Sequence, residues 1–178
     1  MPQAVTHILI VIILLSIFRD YFVKNKKAFP LHYVLIGGIA GILPDLDVAV
    51  YYIMSFLGYT INEIHRRFSH NIFLVILLVI LGLLTYSVKN SKLGKHHLKL
   101  RNLFFVIAFG IFIHLLLDWL IVGTIMPFYP FSTMAFGLNL IKLVPLAWQN
   151  SFLPALDAVL LVLWLIYLEL KHRIIDFI

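Results

Sequence analysis

Five apolar stretches separated by short polar segments organise this chain. The first, VTHILIVIILLSIF at 5–18, reaches crossing length if Tyr21 and Phe22 sit at an interface. It has no positive residues before it and no small-residue cleavage pattern after it, so it reads as a retained membrane helix. LHYVLIGGIAGIL then runs into PDLD and VAVYYIMSFLGY. Neither half supplies the roughly 20 residues that a span requires. The pattern predicts either a helix broken near Pro44 or a short tilted helix followed by a re-entrant or interfacial segment over 44–58. Clear spans are predicted at 71–88 and 103–122, and a last one at 155–170. The stretch from Gly123 to Pro154, interrupted by prolines at 127, 130, 145 and 154, predicts a surface-lying lid or partial helix. The expectation is an all-α, polytopic membrane helix bundle of about five transmembrane helices, forming a single domain over 1–178.

Composition supports this pattern. Of 178 residues, 62% are hydrophobic and 12% charged, too few polar groups to cover a water-soluble body of this size. With no cysteine, a disulfide framework, a thiolate metal site and a thiol nucleophile are excluded. The formal charge of +6 raises a nucleic-acid partner, but the basic residues lie in short loops with no basic tract, which argues against DNA or RNA. Segments 19–30, 89–101 and 171–173 hold eleven of the fourteen lysines and arginines; Arg66, Arg67 and Lys142 lie on the other side. The positive-inside tendency then puts the N-terminus outside and the C-terminus in the cytoplasm of a prokaryotic cell.

Against that topology the ionisable residues are not scattered. His7 opens the first span, Asp45 and Asp47 end the outward run of the second, and His65 and His70 precede the third. On the fourth, His114 and Asp118 fall roughly 17 and 23 Å along the helix at 1.5 Å per residue. All belong to one membrane face, and ionisable groups beside apolar spans usually serve a function. His114 and Asp118, four apart, share a helix face. A packing hydrogen bond would explain them alone; with the other groups converging, they predict metal coordination. Imidazole and carboxylate suit a divalent ion, zinc first, with iron or manganese as alternatives. Asp45 and Asp47 sit on a turn where one could ligate and the other orient a histidine or activate water, although a solvated turn is the plainer account. Arg66 could hold a phosphate, or simply touch membrane phosphates. His7 is either a ligand or an ordinary interfacial histidine, Asp157 a helix cap after Pro154, and Glu63 a weaker candidate base.

The residues Thr6-His7, PDLD at 44–47, HRRFSH at 65–70 and HLLLD at 114–118 together resemble the YbcI/YdjM-like membrane-bound metal-dependent hydrolases over most of the chain. His65, Arg66 and His70 match that family's third motif, with Ser69 for its threonine, Arg67 for its glycine and Asn71 for its serine. A weaker similarity connects the same order of residues to zinc-dependent phospholipase C and P1 nuclease, without the HxxxE that would follow Asp118. These resemblances imply His7, one aspartate of PDLD, His65, His114 and Asp118 as metal ligands; joined with the reading of the residues, the expected ligands are His7, Asp47, His65, His70, His114 and Asp118, with Asp45, Asp47 and Arg66 in catalysis. They also imply hydrolysis of a phosphoester in a membrane lipid or lipid-linked phosphate. The rival expectations are a metal-stabilised structural or interaction protein, and a metal-ion or proton transporter, which would need a polar path to the inner face.

Overall fold

The computed structural model describes residues 4–61, 69–87, 92–93, 98–121 and 123–172. Among the described residues six α-helices dominate: α1 Ala4–Ile17, α2 Leu31–Ala40, α3 Asp47–Met54, α4 Ile72–Leu84, α5 Leu100–Leu120 and α6 Leu146–His172. A π-helical turn, Phe18–Phe22, prolongs α1, so the two together give a 19-residue apolar span. Beside the helices lies a two-residue antiparallel ladder, Lys92–Leu93 with Leu98–Lys99. The all-α membrane bundle expected from the pattern is the architecture observed.

Among the described residues the candidate spans number three to four, against about five expected. Three helical segments, Ala4–Phe22, Leu100–Leu120 and Leu146–Lys171, are long and apolar enough to cross, and a fourth candidate is the pair Leu31–Ala40 and Leu43–Leu57, bent by 46° at the break. The bend has a local cause. Gly41 and Ile42 end α2, and Pro44 enters a tighter 3₁₀ turn over Leu43–Leu46, because its ring blocks continuation of the α-helical ladder. The expected clear span at 71–88 is shorter than predicted: α4 has 13 residues and tightens into a 3₁₀ turn at Thr85–Ser87. Conversely, the last helix starts at Leu146 instead of 155 and carries Pro154 within it.

α5 is the central helix. It packs on α2 along one side and α4 along the other, while α1 packs against α2, α5 and α6. Half of α5's most apolar window is buried, against 6% of α6's, so α6 lies at the periphery with most of its apolar surface available to lipid. Two apolar clusters form the interior: Val11, Leu15, Val34, Val106 and Ile113 between α1, α2 and α5, and Val75, Ala108, Ile111 and Leu115 between α4 and α5. The segment between α5 and α6 is a strap with one short helical piece, the 3₁₀ turn Leu140–Leu143. Ile125 and Phe136 pair with each other, Leu138 donates to the Trp119 carbonyl at 2.8 Å, and Ile72 donates to the Pro127 carbonyl at 2.9 Å. These bonds tie it across the same end of α5 and α4.

Candidate metal centre

Four side chains meet at that end of the bundle. α5 supplies His114 and Asp118, the turn after α2 supplies Asp45, and the residue two before α4 supplies His70. One atom from each lies within 4.8 Å of every other. His70 Nε2 is 3.1 Å from His114 Nε2, 3.3 Å from Asp118 Oδ2 and 3.5 Å from Asp45 Oδ1. His114 Nε2 is 3.6 Å from Asp45 Oδ1 and 3.7 Å from Asp118 Oδ2. A tetrahedral ion with bonds of about 2.0–2.2 Å separates its donors by roughly 3.3–3.6 Å. The spacing therefore fits a cation of zinc's size.

The chemistry of the donors points the same way. His114 Nδ1 donates to the Gly41 carbonyl at 2.7 Å, so the neutral ring turns the lone pair of Nε2 toward the cluster. His70 Nδ1 is 2.9 Å from the Ser69 hydroxyl, which donates to Asp47 Oδ2 at 2.5 Å; Nδ1 also lies 3.5 Å from that oxygen. This relay directs Nε2 of His70 inward as well. Two imidazole lone pairs and two carboxylates thus face one small volume, and among the described residues Asp45 Oδ1 is buried there without a hydrogen bond. Such a set of acceptors calls for a positive centre. Burial by itself depresses the His70 pKa, yet the carboxylates of Asp118, Asp45 and Asp47, 3.3–3.5 Å from its ring nitrogens, outweigh it and raise the value from 6.5 to about 10. A proton held there occupies the place a metal cation would take.

The carboxylates of the PDLD turn have separate positions. Asp45 joins the donor set, whereas Asp47 lies behind His70 and outside the four-donor group. This placement differs from the expectation that Asp47 ligates: its carboxylate reaches His70 through the Ser69 hydroxyl instead. His7 is also outside the set. Its ring is fully buried and stacked on His114 with centroids 4.0 Å apart, and Nε2 lies 3.6 Å from Asp118 Oδ1. Among the described residues, neither ring nitrogen of His7 has a hydrogen-bond partner. His65, Arg66, Arg67 and Glu63 fall outside the described residues.

Asp157 is not a helix cap. It lies within α6, 7% exposed, and accepts a hydrogen bond from the buried Thr6 hydroxyl of α1. A carboxylate three residues beyond a proline invites the cap reading; only a polar neighbour on another buried helix could have corrected it. Nothing in the linear pattern marks Gly41 as the carbonyl that fixes His114.

The four side chains are unequally buried: His70, His114 and Asp118 are closed off, while the Asp45 side chain is 19% exposed. Beneath the strap, an apolar groove of about 260 Å³ runs between Ile72, Leu115, Trp119, Pro127 and Phe136. Its wall begins two residues from His70.

No curated protein and no solved structure matches the chain, so the second resemblance, to phospholipase C and P1 nuclease, is not supported. The first is: with a family model matching residues 1–175, the chain belongs to the YdjM inner membrane protein family.

Proposed function

We propose that this protein is a metal-dependent hydrolase that cleaves a phosphoester bond of a membrane phospholipid or lipid-linked phosphate. The observation that carries the reading is the convergence of Asp45, His70, His114 and Asp118 at tetrahedral donor spacing, with Asp45 partly exposed. A divalent ion bound by these residues would supply an activated water and polarise a phosphoryl oxygen. Asp45, the most exposed donor, would accept the proton, and Asp47 would hold His70 in position through Ser69. Arg66, four residues before His70, is assigned the substrate phosphate on sequence grounds. The groove under the strap offers a hydrocarbon chain an apolar path beside the cluster.

Orientation belongs to the same proposal. Arg19, Lys26, Lys99, Arg101 and Lys171 stand at the helix ends remote from the cluster, so the positive-inside tendency turns the metal centre outward. Between the two ends the bundle is filled by Val11, Leu15, Val34 and Val106, which supports a one-sided centre over a transport path. A structural ion is the second reading, favoured by the presence of four protein donors.

The test begins with metal content of protein purified in detergent, beside a His114→Ala/Asp118→Ala double variant. Bound metal in the wild type, its loss from a folded variant, and metal-dependent phosphate-ester cleavage on a phospholipid panel would support the hydrolase. Failure to bind zinc, iron or manganese would overturn both readings; a metal-bound protein inert across the panel would favour the structural one.

A further inference from the structure

The metal-centre end of the bundle is apolar where a surface facing water would be charged. From Val48 to Ile61 the chain has no charged residue, and from Gly123 to Leu156 only Lys142, whereas the twelve residues 19–30 at the other end carry five. The same two segments stand open. No residue of α3 is buried, and α3 packs chiefly on the turns that flank it, Leu43–Leu46 and Ser55–Leu57. Ile53 and Leu57 are exposed and Phe56 is 90% exposed. On the strap, Met134 and Leu143 are exposed and Phe131 is 84% exposed. Apolar surface on this scale marks a contact with lipid or with another protein.

Helix length places this end within the bilayer. α5 starts between Lys99 and Arg101 and rises roughly 30 Å to Leu120, the thickness of a hydrocarbon core. His114 and Asp118 then lie roughly 21 and 27 Å from the basic end, short of the far boundary of that core. The strap leaves α5 at this boundary, and the arm formed by α3 and Ser55–Leu57 is bent 46° from α2, toward the membrane plane.

The backbone of the strap separates lipid from water. Irregular chain is tolerated beside hydrocarbon only where its polar groups are met within the protein. Ile125 and Phe136 exchange both bonds, Leu138 and Ile141 donate to the Trp119 and Ile121 carbonyls, and Gly123 donates to Asn139 Oδ1. Pro127, Pro130 and Pro145 have no N–H to satisfy. The strap thus turns its polar backbone toward the bundle and leaves its large side chains outside. The arm, being helical, meets its own backbone needs.

We propose that the α3 arm and the strap form a collar seated in the membrane leaflet at the metal-centre end, with Ile53, Phe56, Leu57, Phe131 and Met134 in lipid. A second copy of the chain would cover one face of the bundle, whereas the exposed side chains belong to two separate elements. The collar sets the His/Asp cluster below the headgroup layer. Resting on the hydrolase reading, it narrows the substrate to an ester carried on its own hydrocarbon chain, since a soluble phosphoester would have to cross that layer.

With no cysteine in the chain, a single introduced one carries a spin label at a known place. Phe56→Cys and Phe131→Cys are labelled in the full chain and reconstituted in phospholipid vesicles. Leu163→Cys, on an exposed part of α6, and Lys27→Cys, at the basic end, serve as references. Electron paramagnetic resonance reads collision with oxygen, which concentrates in hydrocarbon, and with a nickel chelate, which stays in water. Labels at 56 and 131 are expected to follow the label at 163, with oxygen collision exceeding nickel collision several-fold, and the label at 27 to show the reverse. Nickel collision at 56 or 131 equal to that at 27 would place the segment in water and overturn the proposal. Exclusion of both reagents would mean burial against protein, by a second copy where the lines show dipolar broadening, and overturns it as well. The labels read lipid contact whether or not metal is bound, so the collar and the hydrolase reading can each fail alone.

Discussion

Substituting Gly110 should damage the metal centre without touching a ligand. Gly110 lies one turn before His114, where α5 crosses α2. A Cβ at this position would come within 2.5 Å of the Gly37 carbonyl oxygen, 2.8 Å of Ala40 Cβ and 3.1 Å of Gly41 N. Ordinary contact begins at 3.4 Å, so Gly110→Ala must part the helices by about 0.9 Å at the closest point. Backbone atoms form two of these contacts and cannot swing aside. The same turn of α2 presents the Gly41 carbonyl to His114 Nδ1 at 2.7 Å. Moving it by most of an ångström takes the bond beyond hydrogen-bonding range. Overpacking should cost about 1–3 kcal/mol of stability. Loss of the orienting carbonyl should weaken zinc binding by about 10–100-fold. Competition of zinc against a chelator, with thermal unfolding on the same samples, measures both. Gly82→Ala is the control, because its Cβ would meet only the Phe105 ring, at 3.0–3.3 Å and away from the cluster. Wild-type zinc affinity in Gly110→Ala, or an equal loss in Gly82→Ala, would refute the coupling of helix approach to ligand orientation.

Three other outcomes follow from the same geometry. Asp47→Asn weakens the charge behind the Ser69–His70 relay and should reduce zinc affinity about 10–100-fold; unchanged chelator competition would show that Asp47 does not orient His70. Thr6→Val strands a buried Asp157 oxygen and should destabilise the protein by about 1–3 kcal/mol, with Thr6→Val/Asp157→Leu recovering much of the loss in thermal unfolding. Zinc supplied at about 100 times its dissociation constant should add about 2.7 kcal/mol to the stability of chelator-stripped protein, and His114→Ala/Asp118→Ala should show no such gain.

Apolar run length and basic-loop asymmetry made the membrane bundle legible from sequence, and the four-residue spacing made His114 and Asp118 legible as a pair. The division of labour between Asp45 and Asp47 was not. Two residues apart on a turn, they look equivalent in a linear chain. The 3₁₀ turn at Leu43–Leu46, with about three residues per turn, sends neighbours two apart in different directions, so Asp45 faces the cluster and Asp47 reaches behind His70. The limits of α6 were hidden for a related reason. Pro154 reads as a stop signal, yet a proline removes only one donor, and a helix otherwise satisfied along its length continues through it. The Thr6–Asp157 contact spans 151 positions and depends on which faces of α1 and α6 meet, which neither local pattern specifies.

The placement of the metal centre follows from where helices end. α2, α4 and α5 each contribute at a terminus or within two turns of one, and only there can Gly41, Asp45, Ser69 and His70 be brought onto the side of α5 that carries His114 and Asp118. Deeper in the bundle, Val11, Val34, Val106 and Ile113 fill the corresponding space, and two carboxylates there would be far costlier to desolvate. At the rim, the charge can be balanced by a cation while Asp45 keeps contact with the exterior. The four-donor set, its orienting partners and its partly exposed Asp45 are thus one consequence of breaking α2 at Gly41 and Pro44. Restoring a continuous helix through that break should remove Asp45 from the set, and with it the metal.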